Sequence, residues 1–203
     1  MRDKNSGADQ ETIDFYNYNS DKYDQATYNL KLEIPWMEFT SRIKPNGRIL
    51  DIGCGSGRDM GHFINLGYYV EGVEPSREMA KLARYRTGAI VHEIAAEQID
   101  FNNQFDGAWA CASLLHVSKS SFAKTYNLIM RSLKQSGVFY FSLKLGVGTI
   151  RKEDGRLFTN YNHDEIEELV ITRSDTKSLF TWESTDALQS RNTKWLNFIV
   201  VKN

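Results

Sequence analysis

The chain has 203 residues, of which 41% are hydrophobic and 12% aromatic, so it is long enough and apolar enough to fold around a buried core. Its 25 basic and 26 acidic side chains leave a net charge of −1, and the basic excess typical of proteins that grip a nucleic-acid backbone is missing. The polar start, the short apolar runs and two cysteines without CxxC spacing predict a cytoplasmic protein that has no signal peptide, membrane segment or disulfide.

The first part of the chain is predicted to be a polar tail followed by helices. Residues 1–10 offer nothing to bury and are predicted to be disordered. Residues 11–43 have helical patterns, with Pro35 near a helix start, and KPNG at 44–47 is a turn. We therefore divide the chain into a tail (1–10), an N-terminal helical segment (11–47) and a core (48–203).

From residue 48 onward, short apolar strands alternate with helices. Strands are predicted at 48–52, 68–74, 89–93, 105–113, 137–145, 178–184 and 194–202. Helices are predicted at 59–67, 77–88, 119–134 and 163–171, and residues 146–162 are predicted to be a polar loop. The alternation indicates an α/β fold with a parallel sheet and helices on both faces, closed at one end by an antiparallel hairpin.

The first predicted strand runs directly into a glycine-rich loop. Gly53, Gly55 and Gly57 let the backbone turn sharply into the next helix and let a ligand approach the main-chain amides. Glu74 ends the second predicted strand, where a carboxylate can accept hydrogen bonds from both hydroxyls of a ribose. The loop and the acid together predict that an adenosine-type cofactor binds across the first two strands.

Two cofactor classes compete for this loop. A dinucleotide site needs the spacing G-x-G-x-x-G, whereas the spacing here is G-x-G-x-G, and Arg58 stands where the third glycine would fall. Asp51 precedes the loop, and a carboxylate there would repel a pyrophosphate but suit a ligand with an ammonium and a sulfonium group. The loop therefore favours S-adenosylmethionine over a nicotinamide dinucleotide, and a nicotinamide oxidoreductase is the least favoured alternative.

The motifs LDIGCGSGRD and GVEPS resemble those of class I S-adenosylmethionine-dependent methyltransferases. The resemblance continues through AAEQIDF, FDGAWACASLLHV, LKQSGVFYFSLK and WLNFIVVKN, so it covers roughly residues 15–202. GSGRD followed by GYYVEGVE is also similar to a small-molecule branch that includes tellurite-resistance-type methyltransferases. The resemblance implies a Rossmann-like, mostly parallel sheet of seven strands in the order 3-2-1-4-5-7-6, with the last strand antiparallel. It also implies that the N-terminal helical segment folds over the cofactor as a lid.

The resemblance implies a set of cofactor contacts. Asp51 and the glycine loop would face the methionine part, Glu74 would hold the ribose, and residues 75–76 would flank the adenine. The residues in this set are Asp51, Gly53, Cys54, Gly55, Gly57, Arg58, Glu74, Pro75, Ser76, Ala96, Glu97, Ala110, Cys111 and Ala112. Ala95 stands where relatives often carry an Asp that receives the adenine amino group, so that contact falls to Glu97, to the backbone beside it or to water.

His116 follows the fourth predicted strand, on the rim where the transferred methyl group should emerge. It is the candidate catalytic base, because its reference pKa lies near neutrality, and the alternative is a hydrogen-bonded structural histidine. Candidate substrate-binding residues are Tyr16, Tyr23, Lys144, Arg156 and Arg191. The three cations among them could hold an anionic acceptor, although singly each is more often a solvated charge. The four scattered histidines have no carboxylate at ligand spacing, so no metal site is predicted.

The predicted function is in-line methyl transfer from S-adenosylmethionine to a small-molecule acceptor. Positioning of the two reactants contributes on the order of 7–11 kcal/mol to such a step, and a base is needed only if the acceptor must lose a proton. One alternative is an RNA or DNA methyltransferase, against which the charge balance and the missing Asn/Asp-Pro-Pro-aromatic signature argue. Another is a catalytically silent relative that binds the cofactor and serves as a partner subunit. The sequence specifies neither the acceptor nor the oligomeric state.

Overall fold

A seven-stranded sheet and a separate two-stranded sheet form the framework of the computed structural model, which describes residues 7–171, 175–188 and 192–203. The strands are Arg48–Ile52 (β1), Tyr69–Val73 (β2), Val91–His92 (β3), Phe105–Ala110 (β4), Leu133–Lys144 (β5), Thr149–Arg151 (β6), Leu157–Thr159 (β7), Thr176–Thr185 (β8) and Lys194–Lys202 (β9). The helices are Gln10–Tyr18 (α1), Ser20–Thr27 (α2), Glu33–Thr40 (α3), Arg58–Asn65 (α4), Arg77–Thr87 (α5), Lys119–Ser132 (α6) and His163–Ile171 (α7).

The order of the large sheet is β3-β2-β1-β4-β5-β9-β8. β1 to β5 pair in parallel, whereas β9 pairs antiparallel with both β5 and β8. The seven strands therefore follow the predicted order 3-2-1-4-5-7-6, and the antiparallel last strand is confirmed. The chain reverses direction of winding at β1, which lies between β2 and β4, and a ligand crevice is expected at that switch point.

Two hydrophobic clusters cover the two faces of the sheet. On one face, Leu50 of β1 belongs to a cluster with residues of α6 and α7. On the other, Ile49 belongs to a cluster with residues of α3, α4 and α5. Successive residues of a strand point to opposite faces, so a strand covered on both sides is buried at successive positions, as β1 is from Ile49 to Ile52. The predicted helices on both faces are thereby confirmed.

Several element ends shift, as where β5 begins at Leu133 inside the predicted helix 119–134, and three further local features differ from the prediction. The segment 146–162, predicted to be a loop, contains the antiparallel hairpin β6–β7, whose strands of three residues are too short for a periodic pattern to reveal. β4 ends at Ala110 because Ala112 adopts a left-handed conformation, with φ of 52°. α1 begins at Gln10 with Asp9 as its N-cap, inside the segment predicted to be disordered, of which residues 1–6 lie outside the described residues. None of the helices in the described ranges is long and apolar enough to cross a bilayer.

Candidate functional site

The glycine loop connects β1 to α4 through a turn that other residues would not fit. Gly53 has φ of +68°, and a Cβ there would lie 2.3 Å from Cβ of Ser113. The backbone N–H groups of Gly53 and Cys54 both donate to the carbonyl of Val73, at 2.7 and 3.1 Å. The loop is therefore fixed against the end of β2, and its glycine is required by both the backbone conformation and the lack of space.

Glu74 follows β2 and lies against the same loop. Its Oε2 accepts a hydrogen bond from the backbone N–H of Gly55 at 2.9 Å, and its Oε1 accepts one from that of Ser76 at 2.8 Å. The side chain is buried, and burial raises its pKa to about 7 in spite of these two hydrogen bonds. Each carboxylate oxygen retains a second lone pair that a hydroxyl group of a ligand can use.

Asp51 lies on β1, behind the glycine loop. Its side chain is buried, and Oδ2 has no hydrogen-bond partner among the residues that the structure describes. Burial, and then the negative charge of Asp59, raise the pKa of Asp51 well above its usual range. A buried carboxylate oxygen without a donor is costly. This residue is consequently suited to a ligand that brings a hydrogen-bond donor or a positive charge.

A buried network around Asp59 was not predicted from the sequence. The Asp59 carboxylate accepts hydrogen bonds from Nε and Nη2 of Arg58, both at 2.8 Å, and from the indole N–H groups of Trp36 and Trp109, at 3.1 and 2.9 Å. Burial alone would raise its pKa, but Arg58 and the indole donors outweigh that effect, and the pKa is lowered. Asp59 therefore remains ionised and fixes the guanidinium of Arg58 at the wall of the cavity.

A cavity of about 560 Å³ opens beyond the carboxyl ends of the strands. The glycine loop and Glu74 form one part of its wall, α1 and α2 a second, and the end of β5 with the β6–β7 hairpin a third. Its lining contains most of the residues predicted to bind cofactor or substrate: Tyr16, Tyr23, Gly53, Cys54, Gly55, Arg58, Glu74, Pro75, Ala96, Glu97, Cys111, Ala112, His116, Lys144 and Arg156. Arg191, also predicted to bind substrate, lies outside the described residues.

Asp51 and three other predicted cofactor contacts lie behind the lining. Gly57 is the left-handed N-cap of α4, and a Cβ there would lie 3.0 Å from Cα of Ala83. Ser76 is fully buried and caps α5, with its Oγ accepting from the N–H of Met79 at 3.3 Å. Ala110 is fully buried at the end of β4. These three positions shape the wall from behind and do not themselves line the cavity.

His116 is joined to Tyr16 across the cavity. Nδ1 of His116 lies 2.6 Å from the carbonyl oxygen of Leu157, and because a carbonyl can only accept, Nδ1 carries the proton. In the neutral ring, Nε2 then accepts a hydrogen bond from the Tyr16 hydroxyl at 2.9 Å. Burial lowers the pKa of His116 to about 4, and the cations Arg156 and Lys144 add to that effect. The ring is therefore neutral at neutral pH, and its one lone pair is engaged.

α1 and α2 are attached on both sides of the cavity. On one side they contact α5, and on the other side they contact the β6–β7 hairpin and the residues next to it. The attachments are Asn17 with Ser76, Asp24 with Arg86, Thr12 with Leu157, and Asp9 with Arg151. The two helices thus cross the cavity from α5, next to the glycine loop, to the β6–β7 hairpin. α3 differs from them, since its Phe39 is fully buried against the sheet.

Residues 50–141 match the family described as "Methyltransferase domain". The cyclopropane-fatty-acyl-phospholipid synthase of Escherichia coli (strain K12) is 34% identical over 101 residues, which are 48% of this chain and 26% of that protein. The putative methyltransferase YqeM of Bacillus subtilis (strain 168) is 27% identical over 128 residues, 60% of this chain and 48% of that protein. The chain thus spans less than half the length of these two relatives.

Solved structures share the whole architecture. The 1,6-didemethyltoxoflavin-N1-methyltransferase of Burkholderia thailandensis, solved with 1,6-didemethyltoxoflavin and S-adenosylhomocysteine bound, superposes with a TM-score of 0.80 at 18% identity, over 96% of this chain and 88% of that one. Phosphoethanolamine N-methyltransferase 2 of Haemonchus contortus, solved with S-adenosyl-L-methionine, superposes with a TM-score of 0.75 at 17% identity, over 94% of this chain and 60% of that one. At these identities the likeness shows the fold, which is the Rossmann-like fold of methyltransferases.

Residues 50–141 thus match a methyltransferase domain, and the architecture of the whole chain is that of solved methyltransferases. The similarity to the tellurite-resistance-type branch stays a prediction.

Proposed function

We propose that the chain binds S-adenosylmethionine in this cavity and transfers its methyl group to a small-molecule acceptor. The observation that carries the proposal is that a single cavity is lined by the glycine loop and Glu74 as well as by Tyr16 and His116. Cofactor and acceptor can therefore meet in one space that the N-terminal helices shield from water. The Burkholderia enzyme of the same fold, solved with a small acceptor and S-adenosylhomocysteine bound, supports this proposal.

The residues present fit this cofactor. When bound, S-adenosylmethionine supplies a methyl group on an electrophilic sulfonium. Glu74, which lines the cavity, suits the ribose hydroxyls. Asp51 lies behind the lining, and its unpartnered buried oxygen lacks a donor of the kind that the ammonium at the methionine end supplies. Ala96 and Glu97, in a short 3₁₀ turn that lines the cavity, are placed to flank the adenine in the absence of an acid at Ala95. A pyrophosphate would instead meet the carboxyl group of Glu74.

His116 is the proposed base when the acceptor must lose a proton. Its Nε2 accepts the Tyr16 hydroxyl, so an acceptor proton reaches that nitrogen either by displacing the hydroxyl or by passing through it. The two cysteines of the lining are poor alternatives, because burial raises the pKa of Cys111 to about 12 and raises that of Cys54 well above its usual range. An acceptor that is already an anion or a thiolate needs no base.

We further propose that α1 and α2 form the lid over the cofactor. The predicted lid spanned residues 11–47, but α3 packs on the sheet, where a Cβ at Gly107 of β4 would lie 2.7 Å from the ring of Phe39. α3 contributes Pro35 to the cavity lining but is assigned to the core, and the lid is limited to α1 and α2.

The proposal is tested in two steps. Isothermal titration with S-adenosylhomocysteine, S-adenosylmethionine and NAD should show binding of the first two, and binding of NAD alone would refute the cofactor assignment. Release of S-adenosylhomocysteine is then measured with pooled metabolites and, separately, with RNA and DNA fragments. Transfer to the metabolite pools supports the proposed acceptor class, whereas transfer to nucleic acid alone would refute it. Glu93→Gln, at an exposed position, is the matched control for variants of Glu74.

A further inference from the structure

The cavity wall formed by the end of β5 and the β6–β7 hairpin carries positive charge that the cofactor does not need. We propose that this part of the wall, which we call the cationic wall (Lys144, Lys152, Arg156 and Phe158), binds an anionic oxygen group of the acceptor, such as a carboxylate or a phosphate. This inference rests on the proposed function, because it names the chemical class of the molecule that receives the methyl group.

The cationic wall is organised around one aromatic ring. Phe158 is buried in β7, and its ring centroid lies 3.8 Å from Nζ of Lys144 and 5.2 Å from Cζ of Arg156. The ring of His116 lies 4.8 Å from the same ring. Two cations, one from β5 and one from the β6–β7 hairpin, therefore lie against one ring beside the residue that we propose as the base, and an anion held by them would lie next to His116.

The position of Arg156 is fixed by its neighbours. Its guanidinium lies 4.1 Å from the ring centroid of Phe15 in α1, and its Nε and Nη2 donate to the carboxylate of Asp154 at distances of 2.6 to 3.2 Å. A side chain held in this way loses little conformational entropy when it binds a ligand. Arg156 is thus a preorganised group and not a solvated surface charge.

Two of the three carboxylates in this part of the cavity are paired with arginines. Lys144, Lys152 and Arg156 line it together with Asp9, Asp154 and Asp186. Asp9 is paired with Arg151 from behind the lining, and Asp154 is paired with Arg156. The field of the cations reaches into the cavity, since Arg156 and Lys144 both lower the pKa of His116 after the larger effect of burial, and their effects exceed the opposing one of Asp9. An ammonium acceptor would be repelled here, and also by a bound sulfonium, whereas an anionic acceptor is attracted.

The same wall offers apolar surface for the body of the acceptor. Phe158 and Trp195 line the cavity, and the ring centroid of Trp195 lies 5.8 Å from Nζ of Lys144. Small aromatic compounds that differ only in their charged group are therefore suitable probes. Benzoate and phenyl phosphate represent the two anionic groups, benzamide is the neutral match of benzoate, and benzylammonium is the cationic match.

The test is titration calorimetry of the S-adenosylhomocysteine-saturated protein with these four probes. We expect the better of the two anions to bind about tenfold more tightly than benzamide, with benzylammonium the weakest. Comparison of benzoate with phenyl phosphate identifies which anionic group fits. Equal or tighter binding of benzamide or benzylammonium would overturn the inference, and so would absence of binding by both anions up to their solubility limits.

Variants then locate the effect. Lys144→Met and Arg156→Gln should each reduce the ratio of anion to benzamide affinity about tenfold, while Arg156→Lys, which keeps the charge, should largely retain it. Lys124→Met removes an exposed lysine of α6 and should leave the ratio unchanged. An unchanged ratio in both Lys144→Met and Arg156→Gln would overturn the inference.

The affinity for S-adenosylhomocysteine is measured first for every protein, so the two proposals can fail separately. If the unaltered protein does not bind that ligand, the proposed function fails. If it binds the ligand but shows no preference for the anions, only the cationic wall is refuted. Retained affinity for the ligand in Lys144→Met and Arg156→Gln also shows that these variants are folded.

Discussion

Glu74 should make the affinity for S-adenosylhomocysteine depend on pH near neutrality. Burial raises the pKa of this carboxyl to about 7, so in the ligand-free protein it is protonated below that pH and ionised above it. The ribose hydroxyls that we assign to Glu74 donate hydrogen bonds, and the ionised form accepts them best. Affinity should therefore rise as the pH rises through about 7. Glu74→Gln removes the titrating group.

The size of the effect follows from the titration. With a pKa of about 7, roughly nine-tenths of the carboxyl groups are ionised one pH unit above that value and roughly one-tenth one unit below it. Since the apparent dissociation constant scales inversely with the competent fraction, affinity should fall about tenfold across that interval. In Glu74→Gln this tenfold change of affinity with pH should be absent. The affinity should also be lower throughout, because a charged hydrogen-bond acceptor is lost.

The stability of the ligand-free protein should change in the opposite direction. A carboxyl whose pKa is raised by folding contributes stability that is fully present below the unfolded value of 4.5 and is lost as the pH rises through the folded value of about 7. That loss amounts to about 3 kcal/mol. Urea denaturation across this range, compared between the protein and Glu74→Gln, measures it.

Calorimetric titration with S-adenosylhomocysteine over one pH unit on either side of neutrality is the assay. Protonation of the ligand itself affects the unaltered protein and Glu74→Gln equally. The difference between their profiles of affinity against pH is therefore due to Glu74. Glu93→Gln, which removes an exposed carboxylate paired with Arg84, should follow the unaltered protein. Superimposable profiles for the unaltered protein and Glu74→Gln would refute both the raised pKa and the assignment of the ribose to this residue.

Three other substitutions test the site. Asp51→Asn should weaken S-adenosylhomocysteine binding at least about tenfold with no loss in thermal unfolding temperature, and unchanged affinity would contradict the assignment of the ammonium to it. Asp59→Asn should lower the free energy of unfolding by about 3–5 kcal/mol, since it leaves the Arg58 charge uncompensated; a loss below about 1 kcal/mol in urea denaturation would contradict the network. Tyr16→Phe should raise the pKa of His116 above about 4, because the donor that favours the neutral ring is gone, and an unchanged ring titration by NMR would contradict the hydrogen bond.

Features encoded in consecutive residues could be predicted from the sequence. The bounds of β1 agree residue for residue with the strand predicted at RILDI, and Ser76 caps α5 as its position before a helical pattern indicates. The strand order was available only through the resemblance to methyltransferases, since periodicity predicts that strands exist but not which strands are neighbours. The positions of the glycine loop and Glu74 followed from the same motifs.

Contacts between distant residues could not be predicted. The hydrogen bond from Trp109 to Asp59 spans 50 positions, and that from Tyr16 to His116 spans 100. The sequence identified Tyr16 and His116 separately, as a lid residue and as a candidate base. What joins them is the path of α1 over the end of β4, and a pattern of neighbouring residues carries no information about that path.

The hydrogen bond between His116 and the carbonyl of Leu157 makes the protonation of the imidazole ring depend on the backbone of β7. Because a main-chain oxygen decides which nitrogen of the imidazole holds hydrogen, the tautomer depends on where the β6–β7 hairpin places its backbone. An insertion or deletion in that hairpin would displace this carbonyl along with the hairpin side chains that line the cavity. Changes in loop length there would consequently change the proton affinity of His116, and homologues with different hairpins need not share one pH profile.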